Sequence, residues 1–563
     1  MNIYNMKSKY KTIRLALLGL AFSIGFVGCT DNFESINTNP NGLQPEQVQL
    51  ATRFSQPISS IYLNYQNRHY EFQLQQNLNA DLYSGYLANP TPFGGNNNNS
   101  TYAMDQGWNN MPFSAGFEYV MKPISEILKS TEELDFTSIA KIIRVQGMHR
   151  VADIYGPLPY TRAMQGGDAV PYDDLETIYK TFLKELEESV NDLTTFVDTE
   201  GADAGRLSSF DIVCKQDHKQ WIRFANSLRL RLAMRISKVE PALAKSTAEA
   251  AVNHKYGVLM AGNPNVEVID AGLQNPLHEI NFAYGDTRAG ALLVNMLKGY
   301  NDPRLPKYVT PIGWLNNQDI VDKNDNPTNS IGEYVGIRQG VIIPDKSNYV
   351  MYSTINMPRG DKHTDQSGDK EQITNALPWM KVAEVYFLRA EGALRGWNMG
   401  GTAQGLYEQG IKVSFDDFGI SEADYQAYIN NDTGVAEDYV DPFNSDNNIA
   451  ALDKATVKWN NSLDNEGKLH KIINQKWLAM YPEGQEAWSE FRRTGYPKLF
   501  PVANNRSSIV EGGIADGEFV KRLRFTRNER NSHEAEVIKA RELLGGPDNE
   551  GTRLWWDVPG SNF

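Results

Sequence analysis

Apolar side chains recur every three or four residues in several segments of the chain, which is the spacing of an amphipathic helix. The clearest stripe lies in residues 173–194, where Asp173 and Asp174 favour a helix start. Helices are also predicted over residues 44–66, 218–236, 379–395, 468–481 and 484–493. Patterns typical of strands occur only in short runs near 308–312, 334–343 and 348–356. The chain is therefore predicted to be mostly α-helical with minor β structure.

Long segments without helical spacing separate these helices. They lie near residues 84–112, 262–285, 301–377 and 430–465. The first is rich in Gly, Pro and Asn, and loops of such length are uncommon unless they are functional or disordered. Successive helix pairs favour a tetratricopeptide-like stack, although no clean period of 34 residues is visible. The predicted fold is thus a tetratricopeptide-like scaffold of helix pairs with long irregular loop insertions.

The N-terminal residues have the pattern of an export signal. Basic residues from Lys7 to Arg14 precede an apolar run, Leu15 to Val27, that is too short to span a bilayer as a helix. Cys29 stands at the expected cleavage point, as in a lipobox, and is predicted to be lipidated; the alternative is an ordinary signal with a chance cysteine. We therefore predict a lipoprotein signal peptide at 1–28, a lipidated tether at 29–43 and a single domain at 44–563.

Charge, hydropathy and cysteine content argue against nucleic-acid binding, a membrane span and a disulfide framework. The formal net charge is −14, and removal of residues 1–28, with four basic and no acidic residues, would make it −18. An acidic surface disfavours binding to nucleic acid or to anionic lipid. Outside the signal no apolar run approaches the ~20 residues of a membrane span. The only cysteines are Cys29 and Cys214, so no disulfide framework is expected, and Cys214 is predicted to be a buried, inert thiol.

Short fragments spread along the chain carry a family resemblance. In order they are FESINTNPN (33–41), DIYGPLPY (153–160), PYD (171–173), KQW (219–221), FANSLRLR (224–231), NDPRL (301–305), AE and RAE within 383–391, QKW (475–477), RRTGYP (492–497) and LWWD (554–557). Together they resemble the SusD/RagB family of nutrient-binding outer-membrane lipoproteins, in its SusD-like branch. Their physical role is mainly structural: Arg229, Arg231 and Arg492 are expected to bind carboxylates or helix carbonyls between packed helices.

The resemblance implies a location, a partner and a ligand class. Members of this family lie on the outer face of the outer membrane in Bacteroidetes-type bacteria. Each caps a SusC-like TonB-dependent barrel as a lid and delivers captured nutrient, usually an oligosaccharide and sometimes a peptide. The helices form one flank, and the irregular insertions form the ligand face. The implied function is capture of an oligosaccharide for import; the alternative is the same architecture binding peptides.

The ligand loops are where members of the family differ, so candidate residues come from side-chain chemistry instead. Sugar binding needs flat aromatic faces together with amides and carboxylates on loops over a rigid frame. The candidates are Tyr83, Tyr86, Phe93, Trp108, Asn109, Trp314, Tyr349 and Tyr352. Trp108 and Trp314 are the leading candidates, and the alternative for Trp108 is a local loop anchor. Helix-borne tryptophans are predicted to lie in the core: Trp221, Trp379, Trp477 and Trp488.

Signals for metal binding and catalysis are weak. Residues 322–333 partly match a calcium loop, with oxygen side chains at Asp322, Asn324, Asn326 and Glu333. Pro327 replaces the glycine of such loops and no helices flank the segment, so a solvated turn is favoured and no cofactor is predicted. No zincin, nucleophile-elbow, Walker or dinucleotide-binding motif occurs, and the chain is predicted not to be an enzyme. A surface hydrolase and a purely structural interaction protein remain as alternatives.

Overall fold

The computed structural model describes residues 49–63, 68–167, 169–201, 206–207, 210–268, 275–312, 333–349, 352–357, 376–507 and 513–563. The chain divides into two units, residues 1–52 and 53–563. The smaller unit is described only at residues 49–52, where a 3-10 turn starts. The larger unit contains the helices, strands and loops that follow.

Helices dominate the described residues. They are α1 (Ser55–Ser60), α2 (His69–Phe72), α3 (Ala80–Tyr83), α4 (Met111–Ala115), α5 (Lys122–Ser130), α6 (Leu134–Tyr155), α7 (Leu175–Glu200), α8 (His218–Arg235), α9 (Pro241–Val252), α10 (Pro276–His278), α11 (Ala291–Gly299), α12 (Leu305–Tyr308), α13 (Val382–Leu394), α14 (Ala403–Asp416), α15 (Glu422–Ile429), α16 (Asn465–Met480), α17 (Gly484–Thr494), α18 (Arg527–Ser532) and α19 (Glu534–Glu542). Further 3-10 or π-helical turns are Leu50–Phe54, Gln73–Asn77, Phe93–Gly95, Asn99–Thr101, Trp108–Asn110, Gly116–Met121, Glu279–Ala283, Lys346–Asn348 and Ser445–Asn447.

Long helices that are close in sequence pack against each other. Helix α6 packs on α7, α7 on α8, and α8 on α9, while α13 packs on both α14 and α16. Acidic N-caps define the starts of three of them: Asp174 accepts from the amide of Thr177, Asp217 caps α8 and Asp464 caps α16. The predicted helices over 173–194, 218–236, 379–395, 468–481 and 484–493 are therefore present, and the mostly helical fold class is confirmed.

The helix predicted over 44–66 is wrong in its extent. Within the described residues the segment is a 3-10 turn, Leu50–Phe54, followed by the short helix α1 and a turn at 61–63. Pro57 lies in the first turn of α1, where its missing amide hydrogen is not needed for a helical hydrogen bond. Proline is tolerated there but not inside a longer helix, which is why a new helical segment begins just before it.

Strands are few and short in the described residues. Strand β1 (Leu87–Ala88) pairs antiparallel with β3 (Arg288–Ala289), and β2 (Val266–Val268) pairs antiparallel with β4 (Leu377–Met380). The runs predicted near 308–312, 334–343 and 348–356 give only isolated bridges, Val309 with Ile355 and Ile337 with Gly290. Apart from these strands, the short helices α10 and α12 and single 3-10 or π-helical turns, the described parts of the four insertions are irregular, as predicted.

Paired charges fill the centre of the helical scaffold. Arg231 of α8 makes two 2.7 Å hydrogen bonds to the carboxylate of Glu384 in α13. Arg493 of α17 bonds Glu391 at 2.6 Å and Glu490 at 2.7 Å. The planar guanidinium of arginine donates two parallel hydrogen bonds to a carboxylate. Because both charges are buried, removing one member of a pair would leave the other without compensation. The predicted role of Arg231 is thereby confirmed, and Arg492 likewise donates to the carbonyls of Asp153 and Lys521.

Candidate functional site

Parts of two irregular segments contact each other and residues 499–507. The amide side chain of Asn96 donates to the carbonyl of Ile343 and accepts from its backbone amide, both at 2.9 Å. Arg506 donates to the carbonyls of Gly95 and Asn96 and to the side chain of Asn97, at 3.1–3.3 Å. These contacts join segment 84–112 to residues 333–349 and to 499–507. We call these three segments the ligand loops.

Asp286 forms hydrogen bonds that connect it and Gln73 to the ligand loops. Its Oδ1 accepts from the hydroxyl of Thr91 at 2.5 Å and from Nζ of Lys346 at 2.6 Å, while Oδ2 accepts from Gln73 at 3.1 Å. One carboxylate thus connects the residues that precede Phe93 with those that precede Tyr349. The loops are held by side chains rather than by regular secondary structure, which is how a rigid frame positions irregular binding segments.

Phe93 and Trp108 form a half-buried aromatic pair in the ligand loops. Their ring centroids lie 5.3 Å apart with an interplanar angle of 85°, an edge-to-face arrangement. Phe93 starts a turn in which Gly94, Gly95 and Asn96 take positive φ values of 58°, 65° and 67°. Glycine adopts this region without strain and asparagine tolerates it, so this Gly-Gly-Asn sequence reverses the chain beside the pair.

The turn before Trp108 is fixed by Asp105. Its Oδ1 accepts from the backbone amides of Gly107 at 2.8 Å and Trp108 at 3.1 Å. Two arginines from far along the chain lie beside this turn. Arg530 donates a hydrogen bond to the side chain of Gln106 at 3.3 Å. Nη2 of Arg527 lies 3.8 Å from the position that a Cβ atom would take on Gly107. Carboxylate, amide and guanidinium groups therefore surround the turn that carries the indole.

The sequence predictions missed these polar neighbours of Trp108. Asp105 and Gln106 lie in the predicted segment but were not singled out, and Arg527 and Arg530 lie more than 400 residues later. No local pattern relates the two arginines to Trp108, because the fold alone brings them together. The polar pair Asp105 and Gln106 next to Trp108 was the signal available in the sequence.

Tyr83 lines a narrow cleft next to the ligand loops. Its ring packs 5.2 Å from that of Trp488 and 6.4 Å from that of Tyr102, and its hydroxyl lies 3.3 Å from Sδ of Met104. The cleft has a volume of about 410 Å³, solvent at its mouth included, and its inner part leaves room only for a small group. Polar and apolar atoms contribute almost equally to its surface, and Arg338 and Gln339 are among its polar members.

Tyr86 and Asn109 are buried against the scaffold and expose almost no side-chain surface to solvent. The ring of Tyr86 is fully buried, packs 4.7 Å from that of Trp477, and its hydroxyl donates to the Trp477 carbonyl. Asn109 is buried; its Oδ1 accepts from Asn99 at 2.9 Å and its carbonyl accepts from the hydroxyl of Tyr155 at 2.6 Å. Both residues position the ligand loops, and neither presents a surface to a ligand.

Tyr349 and Tyr352 are also buried. Their rings stack with centroids 5.4 Å apart at an angle of 8°. The hydroxyl of Tyr352 donates to Asp441 at 2.6 Å, and burial together with this carboxylate raises the pKa of Tyr352. The pair joins the ligand loops to the segment around residue 441, and its burial leaves little of either ring for the predicted ligand contact.

Several predicted residues lie outside the described residues: Cys29, Trp314, Asp322, Asn324 and Asn326. Glu333, the last residue of the calcium-like loop, is described and exposed. Within the described ranges there is no group of three or more His, Cys, Asp or Glu side chains that would hold a metal ion. The calcium prediction therefore remains untested.

Other predictions concern the scaffold. Trp221, Trp379, Trp477 and Trp488 are each at most 1% exposed, which confirms them as core. Cys214 is a free, buried thiol, and burial raises its pKa. Helices in the described part of the chain are too short or too polar to cross a membrane.

Comparison with known proteins identifies a family and several solved relatives. The sequence model of the SusD-like family, the SusD and RagB outer membrane lipoproteins, matches residues 32–557. A chitin-binding SusD homolog from Flavobacterium johnsoniae is 39% identical; the match covers 92% of this chain and 100% of that chain, with a TM-score of 0.82. A SusD homolog from Bacteroides vulgatus is 33% identical over 91% of this chain and 98% of that chain, with a TM-score of 0.81. No curated protein matches significantly.

Proposed function

Because the chain belongs to the SusD-like family of outer membrane lipoproteins, we propose that it is a surface protein that captures an oligosaccharide. The observation that carries this proposal is the half-buried pair of Phe93 and Trp108 beside Asp105 and Arg527. Aromatic faces bind the apolar side of a pyranose ring, while carboxylate and guanidinium groups bind its hydroxyls. The pair is thus the best-placed sugar platform among the described residues.

A chitin oligosaccharide is the first ligand to test. The relative from Flavobacterium johnsoniae that binds chitin matches nearly the whole chain. We propose the same ligand class for this protein.

The test replaces the indole of the proposed platform. Trp108→Ala should lower the affinity for chitohexaose about tenfold, or about 1.4 kcal/mol, in isothermal titration calorimetry because a ring-stacking surface is lost. Trp397→Ala is the matched control, since Trp397 is also half-buried but lies beyond the end of α13, where it contacts Gly392 of that helix. Equal affinities of the Trp108 variant and the wild type would remove Trp108 from the site. Peptides that copurify with the protein, together with silence on glycan arrays, would favour peptide capture.

We further propose that the protein delivers its ligand to a SusC-like TonB-dependent barrel and performs no chemistry on it. Holding a ligand at the mouth of a transporter raises its local concentration there. A tagged protein should copurify with a barrel of this class from detergent-solubilised outer membranes. Purified protein should leave chitohexaose intact on prolonged incubation; cleavage products would instead support the hydrolase alternative.

A further inference from the structure

A second group of solvent-accessible aromatic side chains lies on α2 and on the π-helical turn Gly116–Met121. Tyr70 of α2 is 56% exposed, and Tyr119 of the turn is half-buried. The guanidinium of Arg68 lies 5.2 Å from the centroid of the Tyr119 ring. Aromatic rings that remain open to solvent can bind the apolar side of a pyranose ring. We call Tyr70, Tyr119 and Arg68 the tyrosine surface.

The buried carboxylate of Glu71 fixes the tyrosine surface. It accepts from Nη1 of Arg68 at 3.0 and 3.2 Å and from the hydroxyl of Tyr70 at 3.1 Å. The same Nη1 donates to the hydroxyl of Tyr119 at 2.6 Å. These hydrogen bonds hold the hydroxyl ends of both rings, whereas the ring of Tyr70 remains exposed. A ligand would therefore meet side chains that are already oriented, which lowers the entropy cost of binding.

Tyr119 and Trp108 lie on one continuous helical segment. The turn Trp108–Asn110 leads directly into α4, and α4 leads into the turn Gly116–Met121. Tyr119 follows Trp108 by eleven residues, which at 1.5 Å per residue is about 16 Å along the axis. Because eleven residues make about three helical turns, the two side chains leave the same side of the segment.

Residues 68–77 pack along this helical segment. Arg68 contacts it at Tyr119, and the π-helical turn Gln73–Asn77 packs on its first residues and on α4. Hydrogen bonds of Asp286 join the same turn to the ligand loops. The tyrosine surface and the sugar platform therefore belong to one pair of packed segments.

We propose that the tyrosine surface is a second binding position for the captured glycan, so that the protein favours long chains. A disaccharide is shorter than the separation of about 16 Å and meets one position at a time, whereas an extended hexasaccharide can occupy both. The second contact is then made at a high local concentration, and the two together bind more tightly than either alone. The inference rests on the proposed glycan capture and adds the length of chain that the protein selects.

The test compares chitohexaose with chitobiose on variants of Tyr70. In isothermal titration calorimetry Tyr70→Ala should lower the affinity for chitohexaose about fivefold, because one ring surface is lost. The affinity of chitobiose for the sugar platform should stay unchanged. Tyr70→Phe keeps the ring and loses only the hydrogen bond to Glu71, so it should retain most of the affinity for chitohexaose.

Tyr256→Ala is the matched control. The hydroxyl of Tyr256 donates to Asp198 at 2.9 Å, and Nζ of Lys255 lies 4.9 Å from the centroid of its ring. This half-buried tyrosine thus has a carboxylate and a cation as neighbours, as the tyrosine surface has, but it lies beside the C-terminal end of α7. The variant should bind both sugars like the wild type.

The possible outcomes separate this inference from the proposed function. Equal affinities of Tyr70→Ala and the wild type for chitohexaose would overturn the second position while glycan capture at Trp108 stands. An equal loss for chitobiose and chitohexaose would place Tyr70 within the sugar platform and would also overturn it. Equal losses in the Ala and Phe variants would assign the effect to the Glu71 contact, with the same consequence. Binding of neither sugar by the wild type would overturn both proposals.

Discussion

The carboxyl group of Asp81 lies in the core, fully shielded from solvent. Its Oδ1 accepts from Gln76 at 3.0 Å, and Gly484 at the start of α17 packs directly on it. Burial raises the pKa of Asp81 from 3.8 to about 7, because the charged form loses its hydration. An acid whose pKa is raised on folding destabilises the fold once the unfolded chain has released its proton.

This environment predicts a pH-dependent effect of Asp81→Asn. Below pH 4 the carboxyl is protonated in both states and imposes no charge penalty. Between pH 4 and 7 only the unfolded state releases the proton, so wild-type stability falls as pH rises; above pH 7 the penalty is complete. The free energy of unfolding of the variant relative to the wild type should therefore rise by a few kcal/mol across this window, at about 1.4 kcal/mol per pKa unit. Urea denaturation at several pH values measures the difference, and a constant difference would contradict the prediction.

Single side chains also show where sequence reasoning succeeds and where it ends. Tyr86 and Trp108 both lie in a Gly- and Asn-rich segment and carry the same sequence signal. Tyr86 is buried because Trp477, almost 400 residues later, covers its ring, whereas Trp108 keeps a half-exposed face. Exposure of an aromatic ring depends on such distant contacts, which local spacing does not encode.

At the scale of elements, buried ion pairs connect the helices of the scaffold. Arg231 and Glu384 are each 2% exposed on the side chain, and they join α8 to α13. Arg235 of α8 bonds Glu486 at 2.6 Å, and Lys476 of α16 lies 3.1 Å from Glu490. Each charge is costly to bury alone, so loss of one partner matters more than loss of both.

We therefore expect Arg231→Met to lower the free energy of unfolding by about 3–5 kcal/mol. The double variant Arg231→Met with Glu384→Met should recover much of this loss, because no buried carboxylate is then left unpaired. Urea denaturation at pH 7 measures both. Lys180→Met, which removes the solvent-accessible pairs of Lys180 with Glu176 and Glu240, is the control and should change stability little. Equal losses in the single and double variants would show that packing rather than charge holds α8 on α13.

Elements differ in how well the sequence predicts them. Long helices such as α7 and α8 are predictable because the apolar stripe lies within the helix and the acidic N-cap directly precedes it. The ligand loops are predictable as irregular, from their glycines and asparagines, but not in their pairing. The contact of Asn96 with Ile343 spans 247 residues and follows from tertiary packing alone.

For the whole molecule, fold and family were predictable because the matching fragments extend along nearly the entire chain, as the family match over residues 32–557 confirms. The candidate site was predictable only in part. Phe93 and Trp108 lie in the half-exposed position expected of ligand residues, but the arginines beside Trp108 and the cleft beside Tyr83 arise where distant segments meet. The positions of scaffold residues follow from the pattern of the helix that contains them. The residues of the candidate site come together only through tertiary contacts between distant segments.

Membrane attachment of the whole molecule is predicted to depend on one atom, the sulfur of Cys29. The chain is acidic, with a formal net charge of −14, so anionic lipid repels it and electrostatics cannot replace a lipid anchor. Acyl chains contribute about 0.8 kcal/mol for each buried CH₂ group, and more than one chain gives stable anchoring. Cys29→Ser should therefore move the protein from the outer-membrane fraction to the soluble fraction while leaving chitohexaose affinity unchanged. Immunoblots of fractionated cells and calorimetry on the released protein measure the two effects; surface display that persists in the Ser variant would mean that another contact, such as docking on the barrel, is sufficient for attachment.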